Sequence, residues 1–188
     1  MERDIISSIE KTIEVIIGIK DLTPLISKIS NEIINAYRKS KKIVLFGNGG
    51  SAADAQHIAA EFVGKFYKDR ESLPALAFHT NTSVVTATAN DFGYDKIFER
   101  QVSSFVGEGD IVIGISTSGN SPNVIKGLEK ANEKGAITIG FTGKKENKIE
   151  KIVDYCLKIP STDTPRIQEG HITVGHIICY LVEKELFG

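Results

Sequence analysis

Several classes of protein are excluded by what this sequence lacks. It has only two cysteines, Cys156 and Cys179, too few for a disulfide framework; both sit among apolar residues, as reduced core thiols of a cytosolic protein would. It has no surplus of either charge. Lys plus Arg (23) nearly cancels Asp plus Glu (24), so no global field favours nucleic acid or an anionic membrane, and any bound anion must be held locally. No apolar run approaches the roughly 20 residues that span a bilayer. The start, Met1-Glu2-Arg3-Asp4, lacks the basic segment and apolar stretch of a secretory leader. Linkers, internal repeats and low-complexity tracts are missing as well. Hydrophobic (41%) and charged (25%) fractions are ordinary for a globular chain, and 188 residues suit one domain with a real core. The expectation is a soluble, cytoplasmic protein forming a single domain over residues 1–188.

The apolar pattern organises that domain. Ile5, Ile6, Ile9, Ile13, Ile16 and Ile17 recur at helical spacing, and a second helical stretch runs from about Leu22 to Lys39, interrupted early by Pro24. Two helices over residues 1–40 therefore precede any strand. From residue 41 to 188 the grammar changes to apolar strand, turn, helix. Strands are expected at Ile43–Phe46, Ala75–Phe78, Ile111–Ile115, Ala136–Phe141 and Tyr155–Ile159, with helices at Ser51–Phe66, Thr82–Ala89, Ser121–Lys134 and Pro165–Phe187. Alternating strands and helices imply parallel pairing through right-handed crossovers, hence a three-layer α/β/α sandwich around a mainly parallel, five-stranded sheet. The last helix carries Ile167, Val174, Ile178 and Leu181 on one stripe, while Ile172, Ile177, Cys179 and Val182 extend apolar character around it. A helix apolar on most sides points to a subunit interface built with the leading helices, the alternative being a deeply buried monomer helix.

Two turns at strand ends could hold a ligand. Gly47-Asn48-Gly49-Gly50-Ser51-Ala52 fits the dinucleotide fingerprint G-x-G-x-x-A. However, Ala75–Ser83 offers no acidic residue for a ribose, which argues against NAD. The glycines let the backbone approach a smaller polar ligand, or make only a tight turn. The second turn, Ser116-Thr117-Ser118-Gly119-Asn120-Ser121-Pro122, crowds four hydroxyls at a helix start. That arrangement can bind phosphate without a lysine, or can satisfy itself through capping and turn bonds.

On the helix after the glycine turn, His57 and Glu61 stand four residues apart on one face, as two ligands of one ion or a simple surface pair would. Gln168, His171 and His176 on the last helix add further donors. Together, Phe46–Glu61 (FGNGGSAADAQHIAAE), Asn90–Tyr94 (NDFGY), Gly114–Ser121 (GISTSGNS) and Thr164–Glu169 (TPRIQE) resemble the phosphoheptose isomerase family, within the sugar isomerase (SIS) superfamily of flavodoxin-like sheets. The resemblance covers nearly the whole chain.

The resemblance implies a homotetramer with active sites between subunits and one Zn2+ per subunit. It also implies interconversion of sedoheptulose 7-phosphate and D-glycero-D-manno-heptose 7-phosphate, the first step towards activated heptoses. Carried onto this sequence, it makes His57, Glu61, Gln168 and His176 the zinc ligands. The sugar would meet Asn48, Gly49, Gly50, Ser51, Asn90 and Asp91, with Glu61 and Gln168 beside it, and the phosphate would meet Ser116, Thr117, Ser118 and Ser121. For an enediol(ate) route, Glu61 is the candidate base and His176 the candidate acid. Eight residues of straight helix put Gln168 and His176 about 12 Å apart, so either Gln168 precedes the regular helix or the two reach a given zinc from different subunits. His171 lies near the buried stripe and reads as a packed histidine, with a substitute ligand as the alternative; His79 has no partner visible in the sequence. The competing function is a non-catalytic tetramer of the same fold that binds a sugar phosphate or the bacterial replication initiator.

Overall fold

A computed structural model describes all 188 residues, Met1 to Gly188. Helices α1 (Glu2–Gly18) and α2 (Thr23–Arg38) open the chain, joined by a 3-10 turn over Ile19–Leu22. Pro24 does not interrupt α2. It occupies the first turn, where its missing N–H would have had no partner. Then follow β1 (Ile43–Gly47), α3 (Gly50–Val63), β2 (Ala75–Ala77), α4 (Thr82–Phe92), α5 (Ile97–Phe105) and β3 (Ile111–Ile115). The chain ends with α6 (Pro122–Glu133), β4 (Ile137–Gly143), β5 (Tyr155–Ile159) and α7 (Thr164–Phe187). Helix α5 is an addition to the expected elements; its signal is the buried set Ile97, Phe98 and Val102, short enough to pass for a loop.

All five strands pair in parallel, in the order β2-β1-β3-β4-β5. Side chains alternate across the sheet as strand geometry demands. Ile43, Leu45, Ile111, Ile113 and Ile115 pack with α1, α2, α3 and α7, whereas Val44, Phe46 and Val112 pack with α5 and α6. The first layer holds 28 buried apolar residues and the second 13, so the core is centred under α7. Val174, Ile178 and Val182 of α7 are completely buried or nearly so, each contributing about 1.5–3 kcal/mol by transfer from water.

Two features of this architecture position the site. The strand order reverses between β1 and β3, which opens a crevice at their carboxyl ends, so the glycine turn and the hydroxyl turn face each other there. Helices α3 and α7 also pack side by side in the same direction. Their contact is close because Gly175 has no side chain: a Cβ there would come within 2.6 Å of Ile58. His57 and His176, the neighbours of Ile58 and Gly175, are thereby brought together.

Candidate active site

His57 Nε2 lies 3.2 Å from Glu61 Oε1 and 3.3 Å from His176 Nε2, and the three donor atoms fall within 4.8 Å of one another. The imidazole rings meet edge to face at 71°, centroids 4.9 Å apart. Two ring nitrogens this close, next to a carboxylate oxygen, form a borderline-soft N2O set. Ligands at Zn–N bonds of about 2.0–2.1 Å and a tetrahedral angle stand roughly 3.3–3.4 Å apart, the spacing found here. The His57–Glu61 and His57–His176 pairs thus have the spacing of two ligands on one such ion, and the third pair, Glu61 and His176, lies within 4.8 Å. Cys179 does not belong to this cluster; burial, with Glu61 adding to it, pushes its thiol up to about 12.

Gln168 is on the same helix as His176. It lies inside the regular helix α7, which removes the option that it precedes the helix, and its carboxamide packs over Gly50, where a Cβ would overlap it. Gly50 is seven residues before His57, about 10 Å along α3. Within one chain, then, Gln168 stands beside the glycine turn.

At the other lip of the crevice, Ser116 Oγ is 2.9 Å from Ser121 Oγ and 3.3 Å from Ser118 Oγ. Ser121 occupies the N-cap position of α6 but makes no side-chain capping bond. Its hydroxyl is therefore not consumed by the helix, and the three serines converge on one another at a positive helix end. Thr117 sits between them, with its carbonyl accepting from Gly143 N–H. Asn48, half-buried at the end of β1, bonds to Asn123 and Tyr94, which the sequence reading did not single out for a role. Ser51 is buried, and Gly49 and Gly50 are exposed. Asn90 and Asp91 are exposed at the end of α4, where Asn90 Nδ2 donates to Asp91 Oδ1 at 2.8 Å.

The other two histidines have structural surroundings. His171 is completely buried, its Nε2 donating to the Thr142 carbonyl at 3.2 Å; burial pushes its pKa down to about 4, so it packs as a neutral ring outside the donor cluster. His79 Nε2 finds Gln56 Oε1 at 3.3 Å, a partner no sequence pattern pointed to.

Comparison with known proteins places this arrangement. The SIS domain model matches residues 7–143. Phosphoheptose isomerase of Aneurinibacillus thermoaerophilus is 54% identical over 174 residues, 93% of this chain and 88% of its own. That of Geobacter metallireducens is 48% identical over the full length of both chains. The solved phosphoheptose isomerase of Neisseria gonorrhoeae superposes with a TM-score of 0.92 at 35% identity, over 97% of this chain and 98% of its own. The chain belongs to the phosphoheptose isomerase family.

One part of the surroundings of this donor cluster is not legible in the sequence of this phosphoheptose isomerase family member. Glu183 of α7 and Arg70, in the loop after α3, form an ion pair of 3.1 Å with both side chains 3% exposed. Arg70 also donates to the carbonyls of Glu61 and Phe62 at 2.9 Å, so it terminates the helix turn that carries Glu61. Glu183 accepts in addition from the N–H groups of Phe66, Tyr67 and Lys68, folding this loop back so that Phe66 lies 5.8 Å from the His176 ring. Neither residue belongs to a motif, and 113 positions separate them. A second unheralded group is Asp54, one turn before His57. Its Oδ2 is buried without a hydrogen-bond partner, and burial, partly opposed by His57, pushes its pKa up to about 6.

Proposed function

We propose that this chain is an aldose–ketose isomerase that interconverts sedoheptulose 7-phosphate and D-glycero-D-manno-heptose 7-phosphate, the first step of activated heptose synthesis. The observation that carries this reading is the convergence of His57, Glu61 and His176 between α7 and α3, the helix that leads out of the glycine turn at one lip of the crevice. Relatives half identical over most of the chain bear the name phosphoheptose isomerase, which disfavours a non-catalytic binding module.

The reaction moves one proton between neighbouring carbons and shifts a carbonyl. Glu61 removes a proton from the carbon beside the carbonyl while His176 delivers one to the carbonyl oxygen, giving an enediol(ate). Return of a proton to the former carbonyl carbon and loss of one from the neighbouring hydroxyl completes the exchange, with no net redox change. Ser116, Thr117, Ser118 and Ser121 grip the phosphate, a remote handle whose binding energy orients the reacting carbons. Asn48, Gly49, Gly50, Ser51, Asn90 and Asp91 meet the sugar, together with Gln168.

His57, Glu61 and His176 are the proposed zinc ligands, supported by their donor spacing. Gln168 is the proposed fourth, reaching the ion from a neighbouring subunit or after leaving Gly50. A bound zinc would supply polarisation of the carbonyl and stabilisation of developing negative charge. Incubating purified protein with sedoheptulose 7-phosphate and following aldose formation by NMR tests the function. Product is expected with zinc and is expected to vanish on chelation; a folded, zinc-loaded sample that makes none overturns the reading in favour of a binding module.

The assembly we propose is a homotetramer with active sites between subunits. Ile5, Ile6, Ile9, Ile13 and Ile17 of α1 are each more than half exposed, an apolar stripe that single-chain burial leaves unused. Beside it, α1, α2 and α7 line an apolar groove of about 410 Å³. A second copy of the chain covers both. Light scattering is expected to report four subunits, and Ile9→Lys combined with Ile13→Lys to give smaller species without turnover. A wild-type monomer at micromolar concentration would refute the assembly. No helix is long and apolar enough to cross a membrane, which accords with the cytoplasmic location we propose.

A further inference from the structure

Asn48 Nδ2 donates to Asn123 Oδ1 at 2.9 Å, and Asn123 Nδ2 donates back to Asn48 Oδ1 at 2.8 Å. An amide ring of this kind can be drawn with either polarity, because oxygen and nitrogen differ little in shape. Here the polarity is decided from outside. The backbone N–H of Val124, which can only donate, points at Asn123 Oδ1 at 3.0 Å. That atom must therefore be oxygen, the Asn48 atom facing it must be nitrogen, and the remaining Asn48 atom must be oxygen.

Tyr94 adds the last constraint. Its hydroxyl donates to Asn48 Oδ1 at 3.0 Å, so this oxygen receives two hydrogen bonds and both lone pairs are used. What Asn48 has left is a single N–H. Asn123 is 2% exposed in the first turn of α6, the helix that follows the hydroxyl turn, so the chain of bonds also ties the glycine turn to the phosphate lip. Tyr94, in contrast, is 57% exposed and packs little.

From this we infer that Tyr94 and Asn123 are positioning residues that lock Asn48 as a pure hydrogen-bond donor towards the ligand, selecting a sugar oxygen that presents a lone pair at the end of β1. The inference rests on the proposed isomerase reading, and it identifies what one subsite reads: a hydroxyl or carbonyl oxygen as acceptor. A group offering only a donor at that position would meet the Asn48 N–H without a partner.

The test uses the zinc-loaded wild type, Tyr94→Phe, Asn48→Ala and the double variant, all with sedoheptulose 7-phosphate. Turnover by the wild type tests the isomerase reading itself, independently of the variants. Tyr94→Phe removes only the hydroxyl of an exposed ring, and is expected to raise KM about threefold to tenfold, the effect of one net hydrogen bond, with kcat within about twofold. The inhibition constant of inorganic phosphate should stay unchanged, since the Tyr94 hydroxyl bonds to Asn48 and to no residue of the hydroxyl turn. In the Asn48→Ala background, the Tyr94→Phe effect should disappear, because Tyr94 acts through Asn48. Additive effects in the double variant, an equal loss of phosphate affinity in Tyr94→Phe, or an unchanged KM would each overturn the inference.

Discussion

Glu61→Gln is expected to lower kcat by between about 10²- and 10⁴-fold, the contribution of a positioned general base, while leaving the protein folded. Glutamine has the same shape and keeps an oxygen where the carboxylate oxygen faces His57. The side chain is 23% exposed and makes one polar contact, and the Arg70 bond goes to the main-chain carbonyl, which the substitution does not touch. Unfolding free energy should therefore change by less than about 1 kcal/mol, as at a site away from core packing. Measuring zinc content beside kcat separates the two roles assigned to this residue: loss of turnover with metal retained identifies the base, and loss of both identifies a ligand. A variant that keeps most of its activity removes Glu61 as the base.

Glu183→Ala is expected to destabilise the protein by about 3–5 kcal/mol, read from the midpoint of urea unfolding, because it strands a buried charge. Four donors aim at this carboxylate: the N–H groups of Phe66 (3.1 Å), Tyr67 (2.8 Å) and Lys68 (2.9 Å), and Arg70 Nε (3.1 Å). Truncation leaves all four without their acceptor and the guanidinium at 3% exposure without its counter-charge. Because Arg70 ends the helix turn bearing Glu61, turnover at temperatures where the variant is still folded should fall as well. The pH dependence has a definite sign. Burial pushes Glu183 up, but the bonds from Tyr67, Lys68, Phe66 and Arg70 outweigh it and hold the carboxyl below its ordinary value. The pair therefore stabilises the wild type above the ordinary glutamate range, and that stabilisation is lost as pH falls through the lowered folded value; the variant should lack this acid-side loss. A cost below about 1 kcal/mol would show that the pair is structurally dispensable.

These two residues differ in how visible they are from the sequence. Glu61 stands one helix turn after His57, and the helix period alone puts the two on a common face. His176 joined the set through the family resemblance, and its position on α7 turns it off the buried stripe of Ile167, Val174 and Ile178. Its distance from His57 could not be read, because it depends on Gly175 admitting Ile58 between α3 and α7. Gln168 illustrates the same limit from the other side. Its place on α7 was legible, but its lodging over Gly50 follows from the parallel packing of two helices.

Local pattern was sufficient for the five strands, the flanking helices other than α5 and the two turns at the strand ends, because side-chain periodicity and turn chemistry act over a few residues. The exposed isoleucines of α1 were legible as an apolar stripe too, though not as a surface left bare by the single chain. Tertiary structure alone decided the Arg70–Glu183 pair, the Asn48–Asn123–Tyr94 lock and the meeting of His57 with His176. Each joins segments far apart in the chain through contacts of about 3 Å. Contacts that short depend on how the layers stack and how closely two backbones approach, and neither leaves a periodic trace in the order of the amino acids.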